Sequence, residues 1–195
     1  SQTSIAKALA KLLSPSPEAG APANAEIQEA IVHDGGIPPL LALLSGMTTA
    51  AQVFAAEALA NLSRGNETAQ NMIAKAGGIG PLLGMLPSKS TQAQAQSASA
   101  LAQLSRNNRE NQDSFARSGG MLQMAALLMS ADLQVQAMAA LAMTEVCRGN
   151  RKNQTSAADC GCISSIVGLL KSSVPTKGTE NEVEDVKAEA VGAIW

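Results

Sequence analysis

Apolar and polar residues follow one another along this chain in blocks that recur at a fixed interval. The blocks GGIPPLLALL, GGIGPLLGML, GGMLQMAALL and GCISSIVGLL begin at Gly35, Gly77, Gly119 and Gly161, and each start lies 42 residues after the previous one. Within a block the apolar residues recur at helical spacing, which predicts a helix that begins just after a glycine turn. A recurrence of this length is typical of a chain built from stacked modules.

Three helices are predicted in each module. An asparagine opens the module as the N-cap of the first helix, H1, and a glutamine follows four residues later. The glycines end H1 in the left-handed conformation, and Pro39 and Pro81 then fit the first turn of the second helix, H2. Polar breaks such as SGMTTA and PSKSTQ separate H2 from a long alanine- and leucine-rich third helix, H3. The opening pairs are Asn24 and Gln28, Asn66 and Gln70, Asn108 and Gln112, and Asn150 and Gln154.

Aligning the helices places the module boundaries and two insertions. We expect the end of a preceding H3 at 1–14, a linker insertion at 15–23, and repeats at 24–65, 66–107, 108–149 and 150–195. The last repeat contains an acidic insertion, residues 174–186, between H2 and H3. All of these segments are expected to form one solenoid domain. Because terminal repeats need a polar outer face, a stop at Trp195 inside an H3 predicts that the natural protein continues.

The recurring phrases identify a family. AAEALANLSRGNETAQNMIAKAGGIGPLL and NNRENQDSFARSGG closely resemble the armadillo repeat, and the resemblance covers residues 24–195 and part of 1–14. Three helices per unit match the armadillo period of about 40–47 residues and exclude ankyrin and tetratricopeptide arrays. The resemblance implies an all-α, right-handed superhelix in which the H3 helices line a concave groove that binds other proteins.

A helical wheel gives H3 of the first repeat one polar face. Glu57, Asn61 and Arg64 share this face at about 100° per residue, with Leu59 and Leu62 opposite. The resemblance implies that this face lines the groove. Equivalent positions down the array form three rows, namely Glu57, Ser99, Leu141 and Glu189; Asn61, Gln103, Glu145 and Ala193; and Arg64, Arg106 and Arg148. The predicted partner-binding residues are Glu57, Asn61, Arg64, Ser99, Gln103, Arg106, Glu145 and Arg148.

The arginine row has two interpretations. Guanidinium groups about one helix spacing apart suit the carboxylates of an extended partner, since arginine binds carboxylate in bidentate fashion. Alternatively, each arginine caps the C-terminal carbonyls of its own H3, where the helix dipole favours a cation. The two interpretations are compatible, and the first predicts a protein or peptide partner that carries acidic residues.

A nuclear-transport adaptor is the disfavoured alternative. In armadillo nuclear-import receptors the first row is typically tryptophan and the second asparagine. This chain has Asn61 and Gln103 in its second row but no tryptophan in its first. Binding of nucleic acid is disfavoured too, because only 2% of residues are aromatic and the net charge is −2.

Composition restricts the location and the chemistry. Three cysteines are too few for a disulfide framework and indicate reduced thiols in the cytoplasm or nucleus. No apolar window is long enough to span a membrane, although anchoring through residues upstream of Ser1 stays open.

No catalytic constellation is present in the sequence. The chain has one histidine and no tyrosine, and it lacks the GxxxxGK and HExxH motifs. We therefore expect a non-enzymatic binding scaffold without catalytic residues, cofactors or small-molecule substrate. Metal binding is not expected either, since Cys160 and Cys162 fall in an H1–H2 turn and His33 lies three repeats away.

Overall fold

The computed structural model describes residues 2–14, 25–46 and 48–171, which form twelve α-helices and no strand. The H1 helices are α2 (Ala25–His33), α5 (Glu67–Lys75), α8 (Arg109–Arg117) and α11 (Arg151–Asp159). The H2 helices are α3 (Ile37–Leu44), α6 (Ile79–Met85), α9 (Gly120–Leu127) and α12 (Cys162–Lys171). The H3 helices are α1 (Gln2–Leu12), α4 (Thr49–Ser63), α7 (Thr91–Ser105) and α10 (Leu133–Cys147).

The predicted asparagine caps are confirmed in three repeats. The side-chain oxygens of Asn66, Asn108 and Asn150 accept the backbone N–H three residues on, at 2.9, 3.1 and 3.1 Å. Each bond satisfies one of the N–H groups that have no partner inside a helix. Asn24 lies outside the described residues, as do the linker 15–23, the acidic insertion 174–186 and H3 of the last repeat.

The predicted glycine turns are confirmed as well. Gly35, Gly77, Gly119 and Gly161 have φ between 74° and 82°, the left-handed region that glycine adopts without a side-chain clash. The chain therefore ends each H1 at the same place and starts H2 in the same direction. Pro39 and Pro81 occupy the third positions of α3 and α6, inside the first turn as predicted.

The H3 helices stack side by side. Helix α1 packs on α4, α4 on α7 and α7 on α10, and α3, α6 and α9 each pack on the H3 that follows them. Small residues of the H3 helices, such as Ala55, Ala58 and Ala100, are fully buried, which lets helix axes approach to about 8–10 Å. The core is one contiguous cluster from α1 to α12. Residues 42 apart therefore lie in adjacent layers.

We predict opposite effects for two glycine-to-alanine substitutions. A Cβ at Gly120 would lie 2.5 Å from Cζ of Phe115, whose ring is fully buried. Gly120→Ala should therefore lower the free energy of unfolding by about 1–3 kcal/mol through overpacking. A Cβ at Gly84, inside α6, meets nothing within 4 Å. Gly84→Ala should raise the free energy of unfolding by about 0.5 kcal/mol, because alanine has the higher helix propensity.

Urea unfolding followed by circular dichroism measures both effects. Gly120→Ala combined with Phe115→Leu should recover part of the loss, because the smaller side chain makes room for the new methyl group. Equal effects of the two alanine substitutions would contradict the close approach of Phe115 to the start of α9.

Candidate partner-binding surface

The three arginines occupy the same position in successive repeats. Arg64, Arg106 and Arg148 are the C-cap residues of α4, α7 and α10, with φ between −66° and −58° and ψ between 109° and 115°. Since these helices lie side by side, the arginines form one row across the array. We call the side of α4, α7 and α10 that carries the rows the H3 face.

Glutamine side chains bind the backbone carbonyls at the ends of α4, α7 and α10. The amide nitrogen of Gln70 donates to the carbonyl oxygens of Gln103 at 2.8 Å, Arg106 at 3.4 Å and, in the preceding H3, Ser63 at 3.3 Å. The equivalent bonds run from Gln28 to Asn61 and Arg64 (2.8 and 3.1 Å) and from Gln112 to Glu145 and Arg148 (2.9 and 3.2 Å). The second interpretation of the arginine row was that the arginines cap these C-terminal carbonyls. In the structure, glutamine side chains donate hydrogen bonds to them.

The same glutamines are linked to the next repeat. The side-chain oxygen of Gln70 accepts a hydrogen bond from Nδ2 of Asn108 at 3.2 Å. We call the series of such pairs the amide ladder, and the pairs are Gln28 with Asn66, Gln70 with Asn108, and Gln112 with Asn150. The repeat pattern predicted the asparagines as caps but suggested no role for the glutamines. Their constant spacing from the asparagines was the available signal.

One ladder residue also affects an acidic side chain. Asn150 donates to Oδ1 of Asp113 at 2.9 Å, and this hydrogen bond is the main cause that lowers the pKa of Asp113. Nearby Arg109, at 3.5 Å from the same oxygen, acts in the same direction. Asp113 is therefore a carboxylate that belongs to the repeat interface.

The second-row side chains are buried. Asn61 is only 6% exposed, and its Nδ2 donates to the carbonyl oxygen of Ala10 in α1 at 3.3 Å. Gln103 is 4% exposed, and its Oε1 has no hydrogen-bond partner among the described residues. The helical wheel placed Asn61, and the row alignment Gln103, on an open polar face, but packing between the repeats buries both amides.

Glu145 forms a bridge with two arginines. Its carboxylate, 1% exposed, has Oε1 3.2 Å from Nε of Arg106 and Oε2 3.0 Å from Nε of Arg148. Nη2 of Arg148 adds a bond of 3.3 Å to Oε1. The two arginine side chains are 46% and 52% exposed. We call these three residues the Arg–Glu–Arg bridge, and it leaves one net positive charge at this part of the H3 face.

Arg64 differs from the other two arginines. Its side chain forms no hydrogen bond or ion pair with the described residues, and its Nε is buried without a partner there. Glu57 lies on the same face of α4, two turns earlier, and is not paired with it. The structure therefore leaves one arginine of the row uncompensated within the described part of the chain.

Cys160 and Cys162 lie where the sequence predicted, around an H1–H2 turn, and Cys147 is the last residue of α10. Sγ of Cys160 is 3.3 Å from Sγ of Cys162, on the two sides of Gly161. Burial raises the pKa of Cys147 to about 11 and holds that of Cys162 well above its usual range. The thiols of Cys147 and Cys162 are therefore protonated at neutral pH. No group of three or more potential metal ligands is found among residues that the structure describes.

Within the described ranges, no helix combines the length and the apolar character that crossing a bilayer requires.

Comparisons with known proteins agree with this geometry. Residues 24–64 match a family model described as an Armadillo/beta-catenin-like repeat. A crystal structure of an engineered protein from the Northeast Structural Genomics Consortium is 31% identical, has a TM-score of 0.85, and aligns with 98% of this chain and 71% of its own. A second engineered protein from that consortium is 30% identical with a TM-score of 0.84, over 99% of this chain and 43% of its own. Comparison with curated proteins gives no match.

A more distant structure has the same architecture. It is a designed armadillo repeat protein in complex with the peptide (KR)4, which is 22% identical with a TM-score of 0.77, over 98% of this chain and 82% of its own. At this identity the likeness shows the fold alone. The stacked three-helix units, the repeat match and the engineered relatives together show that the chain belongs to the armadillo-repeat family.

Proposed function

We propose that this chain is a non-enzymatic scaffold that binds an extended segment of another protein along the H3 face. The observation that carries the proposal is the side-by-side stack of α4, α7 and α10, which presents equivalent side chains in the same order. Solenoids of this kind use such continuous surfaces for binding. The proposed contact residues are those of the predicted set that the structure leaves accessible, namely Glu57, Arg64, Ser99, Arg106 and Arg148, whereas Asn61, Gln103 and Glu145 are buried between the repeats.

Pre-organisation supports this function. The amide ladder binds the C-terminal ends of α4, α7 and α10, and each arginine of the row lies at one of these ends. Binding to a surface that is already ordered costs less conformational entropy than binding to a flexible one. The H3 face therefore suits a segment that is itself flexible before it binds.

Designed armadillo proteins of the same fold support a peptide as the class of partner. Among the structural neighbours are computationally designed armadillo repeat proteins for modular peptide recognition and the design that holds (KR)4. We extend peptide binding, but not the peptide sequence, to this chain. The adaptor alternative gains no support, because Glu57, Ser99 and Leu141 stand where a tryptophan row would be needed.

Site-specific photocrosslinking tests the proposal. Biotinylated peptides selected from a random library on the wild-type chain are irradiated with variants that carry p-benzoylphenylalanine at Ser99 or at Gly84. Ser99 is a half-buried first-row position on α7, whereas Gly84 is exposed on α6 and accepts a side chain without a clash. Crosslinking at Ser99 and none at Gly84 is expected. Equal crosslinking at both positions, or a library that yields no binding peptide, would refute the proposal.

A further inference from the structure

The second and third rows meet across neighbouring repeats. Arg106 at the end of α7 contacts Glu145 on α10, 39 residues later. Arg64 and Gln103 stand at the equivalent positions one repeat earlier, on α4 and α7. The second-row residue of one repeat is therefore the neighbour of the arginine in the repeat before it.

The two pairs have different chemistry. Glu145 supplies a charge that compensates Arg106 and Arg148, whereas Gln103 supplies none. Oε1 of Gln103 and Nε of Arg64 are both buried, and neither has a hydrogen-bond partner among the described residues. Unsatisfied polar atoms are rare in native interiors because each costs about 1–3 kcal/mol. These two atoms are themselves out of reach of a partner, but Arg64 as a whole is only partly buried, and the neutral Gln103 leaves its charge without the compensation that Glu145 gives Arg106 and Arg148.

We propose that the second-row residue decides whether an arginine of the H3 face is available to a partner. Glu145 occupies Arg106 and Arg148 internally and so takes the place of a partner carboxylate. Gln103 carries no charge and leaves Arg64 uncompensated, which makes the guanidinium of Arg64 the anion subsite of this chain. Its ligand is an aspartate or glutamate carboxylate of the bound segment. This inference rests on the proposed function and specifies the chemistry that the H3 face selects.

Exchanging the two second-row residues, Gln103 and Glu145, should reverse this arrangement. A glutamate at position 103 would pair with Arg64 and Arg106, as Glu145 pairs with Arg106 and Arg148. A glutamine at position 145 would release Arg148. Exchanging the two residues should therefore move the anion subsite from Arg64 to Arg148 without changing the net charge of the protein.

Fluorescence anisotropy with two labelled octapeptides tests this inference. The probe (DS)4 carries four carboxylates in an extended chain, and (NS)4 is its uncharged counterpart of nearly equal shape. The wild-type chain should bind (DS)4 more tightly than (NS)4. Arg64→Gln should weaken (DS)4 binding about tenfold, the effect of losing one charge-assisted contact. Gln103→Glu should weaken it similarly, and Glu145→Gln should strengthen it.

Three comparisons exclude general effects of charge and folding. Arg117→Gln makes the same change of charge at an exposed position at the far end of α8 and should leave (DS)4 binding unchanged. In the double variant Gln103→Glu with Glu145→Gln, binding should depend on Arg148 and no longer on Arg64. Thermal denaturation by circular dichroism shows that each variant is folded, and Arg64→Gln removes no side-chain hydrogen bond of the described structure.

The contrary outcomes are equally specific. The inference is wrong if the wild-type chain does not distinguish (DS)4 from (NS)4, or if Arg64→Gln and Arg117→Gln have equal effects. It is also wrong if the double variant still depends on Arg64. If these results occur while library peptides crosslink at Ser99, the H3 face binds peptides without this carboxylate subsite, and the proposed function stands.

Discussion

Replacing Arg106 and Arg148 together by alanine should lower the free energy of unfolding by about 3 kcal/mol. Glu145 would then be a carboxylate at 1% exposure without its two partners. Removing the partners of a buried ion costs about 3–5 kcal/mol. We expect the lower end of that range because the guanidinium groups are half exposed and partly screened by solvent. Urea unfolding of the wild type and the double variant measures the difference.

A third substitution separates the charge effect from lost packing. Adding Glu145→Gln to the double variant removes the unpaired charge and should restore most of the stability. Arg117→Ala with Arg151→Ala, at exposed positions of α8 and α11, is a matched pair in which the same number of arginines is lost. If that pair destabilises the chain as strongly, or if Glu145→Gln gives no recovery, the bridge does not stabilise the fold as described.

Replacing Gln112 by leucine should also lower the free energy of unfolding by about 3 kcal/mol. The side chain is 3% exposed, donates to the carbonyl oxygens of Ser105, Glu145 and Arg148, and accepts from Asn150. Leucine has nearly the same size but can neither donate nor accept. Several buried groups would lose their partner, at about 1–3 kcal/mol for each one left unsatisfied.

The control is the same chemical change at an exposed position. Gln92 is the second residue of α7 and is exposed, so Gln92→Leu should change stability by less than about 0.5 kcal/mol. The slope of the free energy of unfolding against urea concentration distinguishes an array that is less stable as a whole from one whose repeats unfold separately. An unchanged midpoint for Gln112→Leu would show that the amide ladder contributes little to stacking.

Local features of this fold were predictable from the sequence because local chemistry determines them. A glycine at φ near 80° and an asparagine that caps a helix depend on a few neighbouring residues. The 42-residue period then placed equivalent residues in adjacent layers without any knowledge of tertiary contacts. The arginine row at the C-caps of α4, α7 and α10 follows from that period.

The contacts between rows could not be predicted in the same way. A helical wheel describes one helix, so the wheel of α4 assigned Asn61 to an open polar face and the repeat period extended this to Glu145, although both are buried. Whether Arg106 reaches Glu145 depends on the offset and rotation between α7 and α10, which no single repeat encodes. The same holds for Gln112, whose partners belong to the ends of two successive H3 helices.

The amide ladder has a consequence for how such a chain can lengthen. Its donors and acceptors lie at the same positions in successive units and bond to their own and adjacent units. Duplicating or deleting a whole unit of 42 residues therefore leaves the ladder amides with partners, whereas losing a single residue within H1 would misalign the bonds on both sides. Gene duplication can thus add binding surface to this fold in complete modules, because each added module forms the same contacts with its neighbours as the existing ones.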